Sequence, residues 1–210
     1  MKYQFLAVEG PIGVGKTTLA KKLASHFNAR LLTDTEDSNP YLGSFYKQQN
    51  ARAFHTQIHF LVSRLEALNN PEIIQTEQPI VADFFIQKDK LFAELTLDHT
   101  EWWMYSTISE QLLQNVPRPD LVVYLQAPLA QLIERIERRG YNYERRIDSH
   151  YLEELSALYE RYFHTYCDPL LIINTADINL ADSEADVSEL CHRIAEFRGG
   201  RQFYNPQISG

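Results

Sequence analysis

A glycine-rich segment near the start of the chain carries residue types that bind phosphate. Residues 10–17 read GPIGVGKT, which satisfies the pattern G-x-x-x-x-G-K-[ST] between an apolar run and a helical pattern. Glycines let backbone N–H groups turn inward around phosphates, and the following helix adds its positive N-terminal end. The lysine of this pattern reaches the β- and γ-phosphates of a nucleotide, and the hydroxyl beside it suits Mg²⁺. The sequence therefore predicts a site for ATP and Mg²⁺, formed by Gly10, Pro11, Ile12, Gly13, Val14, Gly15, Lys16, Thr17 and Thr18.

ATPases, GTPases and kinases share such a loop, so other signals have to separate these classes. A GTP-dependent switch protein needs an Asp-x-x-Gly segment, which the sequence does not contain. It also needs Asn-Lys-x-Asp, and the segment from Asn174 to Asp177 reads NTAD, without the lysine. The sequence therefore argues against a GTPase switch.

A cluster of carboxylates follows the second apolar run of strand length. Asp34, Glu36 and Asp37 lie there, at the carboxyl end of a strand, where open α/β sheets bind ligands. A phosphate acceptor would be repelled, whereas a hydroxyl acceptor needs a carboxylate that orients it and takes its proton. The cluster therefore favours a hydroxyl acceptor; the alternative is a solvated acidic turn that leads into a helix.

The helical pattern after residue 52 places two polar side chains on one stripe. Gln57, Leu61 and Arg64 are spaced at i, i+4 and i+7. An amide offers both a donor and an acceptor to the edge of a nucleobase, which is what a specificity group needs. The alternatives are a glutamine in a core network and an arginine paired with Asp89.

Apolar runs of strand length alternate with helical patterns along the chain. Because the runs are nearly continuous, both faces of the sheet should be covered by helices, which predicts a parallel sheet. The predicted fold is a three-layer α/β/α P-loop kinase fold in one domain, residues 1–210. Its tail, about residues 198–210, is predicted to be irregular. The five predicted strands are residues 5–8, 30–33, 80–82, 121–125 and 170–173.

Composition restricts the partners of this chain. The formal net charge is −8, which disfavours nucleic acid, because binding to it depends on lysine and arginine. The sequence contains no apolar run long enough to span a bilayer, so no membrane partner is expected. Cys167 and Cys191 are the two cysteines and show no CxxC spacing, which favours reduced thiols and a cytoplasmic location.

An arginine-rich segment ends a helix near residue 140. It reads RIERRGYNYERR from Arg135 to Arg146 and predicts a lid at about residues 139–147. Arginines aimed at a transferring phosphoryl group stabilise its charge, and closure of a lid excludes water. Arg135 and Arg139 lie one helical turn apart; the alternative is a solvated charged face with Glu134 and Glu137.

The order of these segments resembles the deoxynucleoside kinase family, and within it the bacterial deoxyadenosine and deoxyguanosine kinases. The resemblance covers about residues 4–175 and rests on EGPIGVGKTT, an acidic segment before NPY, TQIHFLVSR and ADFFIQKDKLFA. It implies ATP, Mg²⁺ and a deoxynucleoside as ligands. It also implies a homodimer, for which a helix that contains Trp102, Trp103 and Ile108 is the candidate interface; the alternative is that these side chains belong to the core.

The same resemblance implies roles for single residues. Asp34 occupies the position of the catalytic carboxylate, which is usually glutamate in the family, and Glu36 is the reserve candidate. Lys16, Arg135 and Arg139 would act on the phosphoryl group, and Thr17 and Asp83 would serve Mg²⁺. The remaining substrate contacts would be made to the base by Gln57, Arg64 and Asp89, and to the sugar 3′-hydroxyl by Tyr46 and Glu144.

The sequence departs from the family at Asp83-Phe84-Phe85, where an arginine is expected in place of Phe84. Lys88 and Lys90 are candidates for the missing cation. The expected reaction is transfer of the γ-phosphoryl of ATP to the 5′-hydroxyl of a deoxynucleoside, with deoxyadenosine first. The alternatives are a nucleoside monophosphate kinase and a regulatory ATP-binding module without turnover.

Overall fold

The computed structural model describes residues 2–34, 38–47, 52–142, 144 and 147–206, which form one parallel sheet of six strands. The strand order is β2-β3-β1-β4-β5-β6, and each neighbouring pair is parallel. The predicted α/β class and parallel sheet are confirmed. The strands are β1 (Phe5–Glu9), β2 (Arg30–Leu32), β3 (Ile80–Ala82), β4 (Leu121–Gln126), β5 (Leu170–Asn174) and β6 (Arg201–Tyr204).

Helices pack on both faces of this sheet. Leu6 and Val8 of β1 belong to a core cluster with Leu19 and Leu190, whereas Ala7 belongs to a second cluster with Tyr159. Alternate residues of a buried strand therefore pack against different helical layers. The helices in the described residues are α1 (Lys16–His26), α2 (Leu42–Lys47), α3 (Ala53–Leu68), α4 (Pro71–Ile74), α5 (Asp89–Thr96), α6 (His99–Leu112), α7 (Leu129–Arg139), α8 (Ser149–Thr165) and α9 (Glu184–Glu196).

The prediction of five strands and an irregular tail was wrong at the C-terminal edge of the sheet. Residues Arg201–Tyr204 form β6, which pairs with β5 from Leu170 to Ile173. This edge strand is held by backbone pairing and not by a buried apolar run, since Phe203 is 71% exposed. The Arg201 guanidinium also donates to three carbonyls at the end of α8. A pattern of continuous hydrophobicity cannot reveal such a strand.

The topology gathers the chemically active segments at one edge of the sheet. The carboxyl ends of β1, β2 and β3 lead into the glycine-rich loop, Asp34 and Asp83, respectively. Because these strands are neighbours in the order β2-β3-β1, the three segments meet. In the described part of the chain, no helix is both long and apolar enough to cross a membrane.

Candidate active site

The glycine-rich loop wraps around the start of α1 as the sequence predicts. Gly10 has φ +152°, and a Cβ there would overlap the backbone oxygen of Leu125 on β4. Gly15, with φ +105°, precedes the first residue of α1. The Lys16 ammonium donates to the carbonyl oxygens of Gly10 (2.9 Å) and Pro11 (3.1 Å), across the loop. The predicted nucleotide residues 12–18 line a cleft of about 1080 Å³, which is large enough for a nucleotide.

Two oxygen groups suited to Mg²⁺ lie together at the mouth of this loop. The Thr17 hydroxyl is hydrogen-bonded to the carboxylate of Asp83, which follows β3. Asp83 Oδ1 also accepts from the backbone N–H of Asp34. Burial raises the pKa of the Asp83 carboxyl, and the Thr17 hydrogen bond opposes that rise. A hydroxyl and a carboxylate beside a phosphate loop fit a magnesium ion whose remaining ligands are water molecules and nucleotide oxygens.

Asp34 is joined to Arg64 by a two-pronged ion pair. Arg64 Nε donates to Asp34 Oδ1 at 3.0 Å, and Nη2 donates to Oδ2. Arg64 Nη1 meanwhile donates to Asp89 Oδ1. The predicted Arg64–Asp89 pair is therefore present, but the sequence did not reveal that the same guanidinium also binds Asp34. Arg64 links the carboxylate proposed for catalysis to the carboxylate proposed for base recognition.

These contacts control the charges of the buried groups. Burial alone raises the pKa of the Asp34 carboxyl, but Arg64, then Lys88 and Lys16, outweigh it and hold that pKa well below its usual range. Asp34 is therefore ionised at neutral pH. Complete burial raises the pKa of Asp89, and Arg64 opposes that rise. Burial lowers the pKa of Lys88, but Glu9 and other carboxylates outweigh it and keep the ammonium charged.

Glu9 is a site residue that the sequence interpretation missed. It ends β1, is fully buried, and accepts from the N–H groups of Gly10 (2.8 Å) and Phe85 (2.9 Å). The Tyr159 hydroxyl donates to it at 2.9 Å. A charged residue at the end of an apolar strand, directly before the glycine-rich loop, was the signal that could have revealed it. Glu9 anchors the beginning of that loop to β3 and α8.

The structure separates the two lysines considered for the missing cation. Lys88 is 3% exposed and lies 3.5 Å from both Glu9 Oε2 and Asp34 Oδ2. Lys90 is 41% exposed and pairs with Glu110. Phe84, at the departure from the family pattern, packs in a core cluster, and Arg64 lies 5.9 Å from its ring centre. The phenylalanine therefore fills apolar space, and of the two lysines it is Lys88 that lies beside Asp34, in addition to Arg64.

Four of the predicted acceptor residues line a second, narrow cleft beside the loop, whereas Asp34 and Asp83 line the nucleotide cleft and Asp89 is fully buried behind Arg64. The volume of the second cleft is about 30 Å³, and its lining includes Lys16, Tyr46, Gln57, Arg64 and Glu144. A small-molecule pocket usually measures about 300–1,000 Å³, so this cleft has to widen before a nucleoside enters. The Gln57 amide, which lines this cleft, donates to the buried Thr96 hydroxyl at 3.3 Å. The structure thus brings Tyr46, Gln57, Arg64 and Glu144 together around one closed cleft, and Asp89 reaches this group through its bond to Arg64.

The arginines of the predicted lid are bound to protein groups. Arg139 donates to both carboxylate oxygens of Glu144, which links the lid segment to the acceptor cleft. Arg135 donates to the Val14 carbonyl (3.2 Å) and to the hydroxyl (3.0 Å) and carbonyl (2.8 Å) of Thr175. Both arginines line the nucleotide cleft, and their roles at the phosphoryl group stay predictions. Four residues named from the sequence lie outside the described residues: Glu36, Asp37, Arg145 and Arg146.

The fold and the site define a P-loop nucleotide-binding protein with an ionised carboxylate beside the phosphate loop. The chain matches the family model "Deoxynucleoside kinase" over residues 6–198. It is 35% identical to the deoxyguanosine kinase of Bacillus subtilis, covering 91% of this chain and 94% of that one. It is 30% identical to the deoxyadenosine/deoxycytidine kinase of the same organism, covering 92% and 93%. The chain belongs to the deoxynucleoside kinase family, and the resemblance seen in its sequence is confirmed.

The fold of this chain is similar to that of a solved kinase structure. The deoxyadenosine kinase from M. mycoides, in a structure with the products dCMP and dCDP, superimposes with a TM-score of 0.77. The match covers 91% of this chain and 98% of that chain, at 23% sequence identity. At that identity the match bears on the fold alone. As a member of a kinase family, the protein is a phosphotransferase.

Proposed function

We propose that the protein transfers the γ-phosphoryl group of ATP to the 5′-hydroxyl of a purine deoxynucleoside, with deoxyadenosine preferred. The observation that carries this proposal is the placement of Asp34. Its carboxylate is ionised, held by Arg64 and Lys88, and lies at the edge of the phosphate loop beside the acceptor cleft. A carboxylate there suits a hydroxyl acceptor and would repel a phosphate.

The donor side of the reaction rests on the loop and on Mg²⁺. Lys16 would bind the β- and γ-phosphates once its ammonium leaves the carbonyls of Gly10 and Pro11. Thr17 and Asp83 would hold Mg²⁺, which neutralises charge that develops on the phosphates. Arg139 and Arg135 would complete the site as a lid closes over the cleft. Exclusion of water by that closure protects ATP from hydrolysis.

A substrate panel tests the proposed function. We expect ATP-dependent phosphorylation of deoxynucleosides, measured for four deoxynucleosides, their ribonucleoside counterparts and deoxyadenosine monophosphate. A nucleoside monophosphate kinase would instead use the monophosphate, and a regulatory ATP-binding module would show binding of ATP without turnover. Either result would overturn the proposal.

Asp89 is expected to select the base. Its Oδ1 binds Arg64, while its Oδ2 is buried and has no hydrogen-bond partner among the described residues. Carboxylate oxygens accept from the exocyclic amino group of adenine or cytosine, whereas they offer nothing to the carbonyl of thymine. Thymidine should therefore be a poor substrate of the wild type.

Asp89→Ala should weaken discrimination against thymidine by about 1–3 kcal/mol, the cost of a lost buried polar contact. Arg64 keeps Asp34 as a counterion in this variant, which limits its effect on folding. The measurement is kcat/KM for deoxyadenosine, deoxycytidine and thymidine in both proteins. Glu94→Ala removes an exposed acid from the same helix and is the control, with no expected change. Thymidine as the best wild-type substrate would refute this model of the pocket.

Glu144→Gln should distinguish a contact to the sugar from support of the lid. If Glu144 accepts from the 3′-hydroxyl, its loss should reduce kcat/KM for deoxynucleosides more than for 2′,3′-dideoxynucleosides, which lack that group. The difference should be about 1 kcal/mol or more for one hydrogen bond to a charged group. Glu137→Gln, at an exposed position of α7, is the control. Equal losses for both substrates would show that Glu144 serves to hold Arg139 alone.

We also propose that the protein is a cytoplasmic homodimer. Helix α6 exposes Trp103 (65%), Met104 (42%), Ile108 (38%) and Leu112 (45%), while Trp102 packs against the core. An exposed apolar stripe of this kind is typical of a subunit interface. Of the three residues named from the sequence for the subunit interface, Trp103 and Ile108 are exposed and therefore remain candidates for it. Sedimentation of the wild type and of Ile108→Glu tests this proposal, with dissociation expected in the variant.

A further inference from the structure

We propose that Lys88 is a positioning residue, which fixes the Asp34 carboxylate relative to the phosphate loop by bridging it to Glu9. The inference rests on the proposed function, because it assigns Asp34 to the acceptor hydroxyl. Lys88 is the last residue of a short 3₁₀ helix, Ile86–Lys88, directly before α5. Its side chain lines the acceptor cleft together with Lys16, Gln57 and Arg64.

The bridge joins two carboxylates that belong to different parts of the site. The Lys88 ammonium lies 3.5 Å from Asp34 Oδ2, which follows β2, and 3.5 Å from Glu9 Oε2, which ends β1. All three side chains are nearly inaccessible, with exposures of 3%, 6% and 0% for Lys88, Asp34 and Glu9. In such surroundings charge pairs are weakly screened, so the ammonium acts strongly on both carboxylates.

Glu9 provides the fixed end of this bridge. Its two oxygens accept from the N–H groups of Gly10 and Phe85 and from the Tyr159 hydroxyl. Gly10 is the first glycine of the phosphate loop, so a group bound to Glu9 keeps a fixed position relative to that loop. Arg64, on α3, also holds Asp34. Lys88 therefore links the Asp34 carboxylate to Glu9, which is bound to the first residue of the phosphate loop.

A positioning role follows from the geometry that phosphoryl transfer demands. The acceptor oxygen has to lie in line with the transferring group, and a misplacement of about 1 Å can reduce the rate about 10²-fold. Removal of Lys88 leaves Asp34 paired with Arg64 through its side chain and with Asp83 through its backbone N–H, but it removes the link from the Asp34 carboxylate to Glu9. We therefore expect Lys88→Met to lower kcat about 10- to 100-fold, with the dissociation constant of ATP changed less than about threefold.

A double-mutant cycle with Asp34→Asn tests this inference. If Lys88 acts through Asp34, the double variant should have the kcat of Asp34→Asn alone, so the two losses should not multiply. The double variant also loses one positive and one negative charge together, which keeps the buried charges balanced. Lys90→Met is the matched control, because Lys90 pairs at the surface with Glu110, and it should keep wild-type kcat.

The outcomes separate this inference from the proposed function. A wild type that phosphorylates no deoxynucleoside overturns the proposed function. If the wild type is active, three results would overturn the inference and leave the proposed function intact. These are an unchanged kcat in Lys88→Met, losses that multiply in the double variant, and an ATP affinity that falls by the same factor as kcat. If Lys88→Met does not fold, as thermal unfolding will show, kcat of the double variant against Asp34→Asn decides: equal values support the inference, and a further loss overturns it.

Discussion

Lys16→Ala will abolish phosphoryl transfer, with a loss in kcat of roughly 10³-fold or more, as expected when a major group that stabilises transition-state charge is removed. The Lys16 ammonium lies inside the loop, on the carbonyls of Gly10 and Pro11, and Lys16 lines the cleft proposed for ATP. Alanine removes the charge and leaves the glycine conformations unchanged. The measurement is turnover of ATP with deoxyadenosine, next to a thermal unfolding curve.

Lys16→Arg is the matched variant, because it keeps the charge but replaces a compact ammonium with a planar fork. It should remain severely impaired, because a guanidinium is larger than the ammonium that fits against the Gly10 and Pro11 carbonyls. The melting temperature of both variants should stay close to that of the wild type. Unchanged turnover in Lys16→Ala would contradict the assignment of the phosphate site.

Asp34→Asn will lower kcat by roughly 10²-fold or more, because it removes the base while it preserves the size of the side chain. Affinity for the deoxynucleoside should change little, since Arg64 keeps Asp89 as its counterion and the acceptor cleft keeps its lining. The measurement is single-turnover kinetics with saturating ATP and a titration of deoxyadenosine.

Glu36→Gln is the comparison for this experiment, since Glu36 is the other carboxylate considered as the base. We expect it to retain most of the wild-type kcat. A large loss in Glu36→Gln together with full activity in Asp34→Asn would transfer the role of base to Glu36. Both variants change one carboxylate to its amide, so the difference between them reports position and not charge.

The donor site was predictable because its chemistry is encoded over adjacent residues. The spacing of Gly10, Gly15, Lys16 and Thr17 specifies a loop whose geometry follows from local conformation, and the structure shows that loop. The first five strands were predictable for a similar reason, since each is a nearly continuous apolar run in a sheet covered on both faces. β6 was not predicted, because an exposed edge strand is held by backbone hydrogen bonds and needs no apolar run.

The acceptor site was predictable in its residue types and not in its connections. Gln57 and Arg64 line the same cleft and the predicted Arg64–Asp89 pair is present, whereas the contacts of these residues to a base stay predictions. The second partner of Arg64, Asp34, lies 30 positions away along the chain. That one guanidinium binds both carboxylates follows from the short distance between α3 and the end of β2. No local sequence pattern contains that distance.

The sequence by itself determined the class of fold, the phosphate loop and the family, because these depend on local spacing and on apolar periodicity. The tertiary structure alone decided which charges share one buried site. Glu9, Asp34, Arg64, Lys88 and Asp89 come from β1, the segment after β2, α3 and the turn into α5, and they form one network. Such a network depends on the order of strands in the sheet and on the absence of water around buried charges. Neither property can be read from the spacing of residues along the chain.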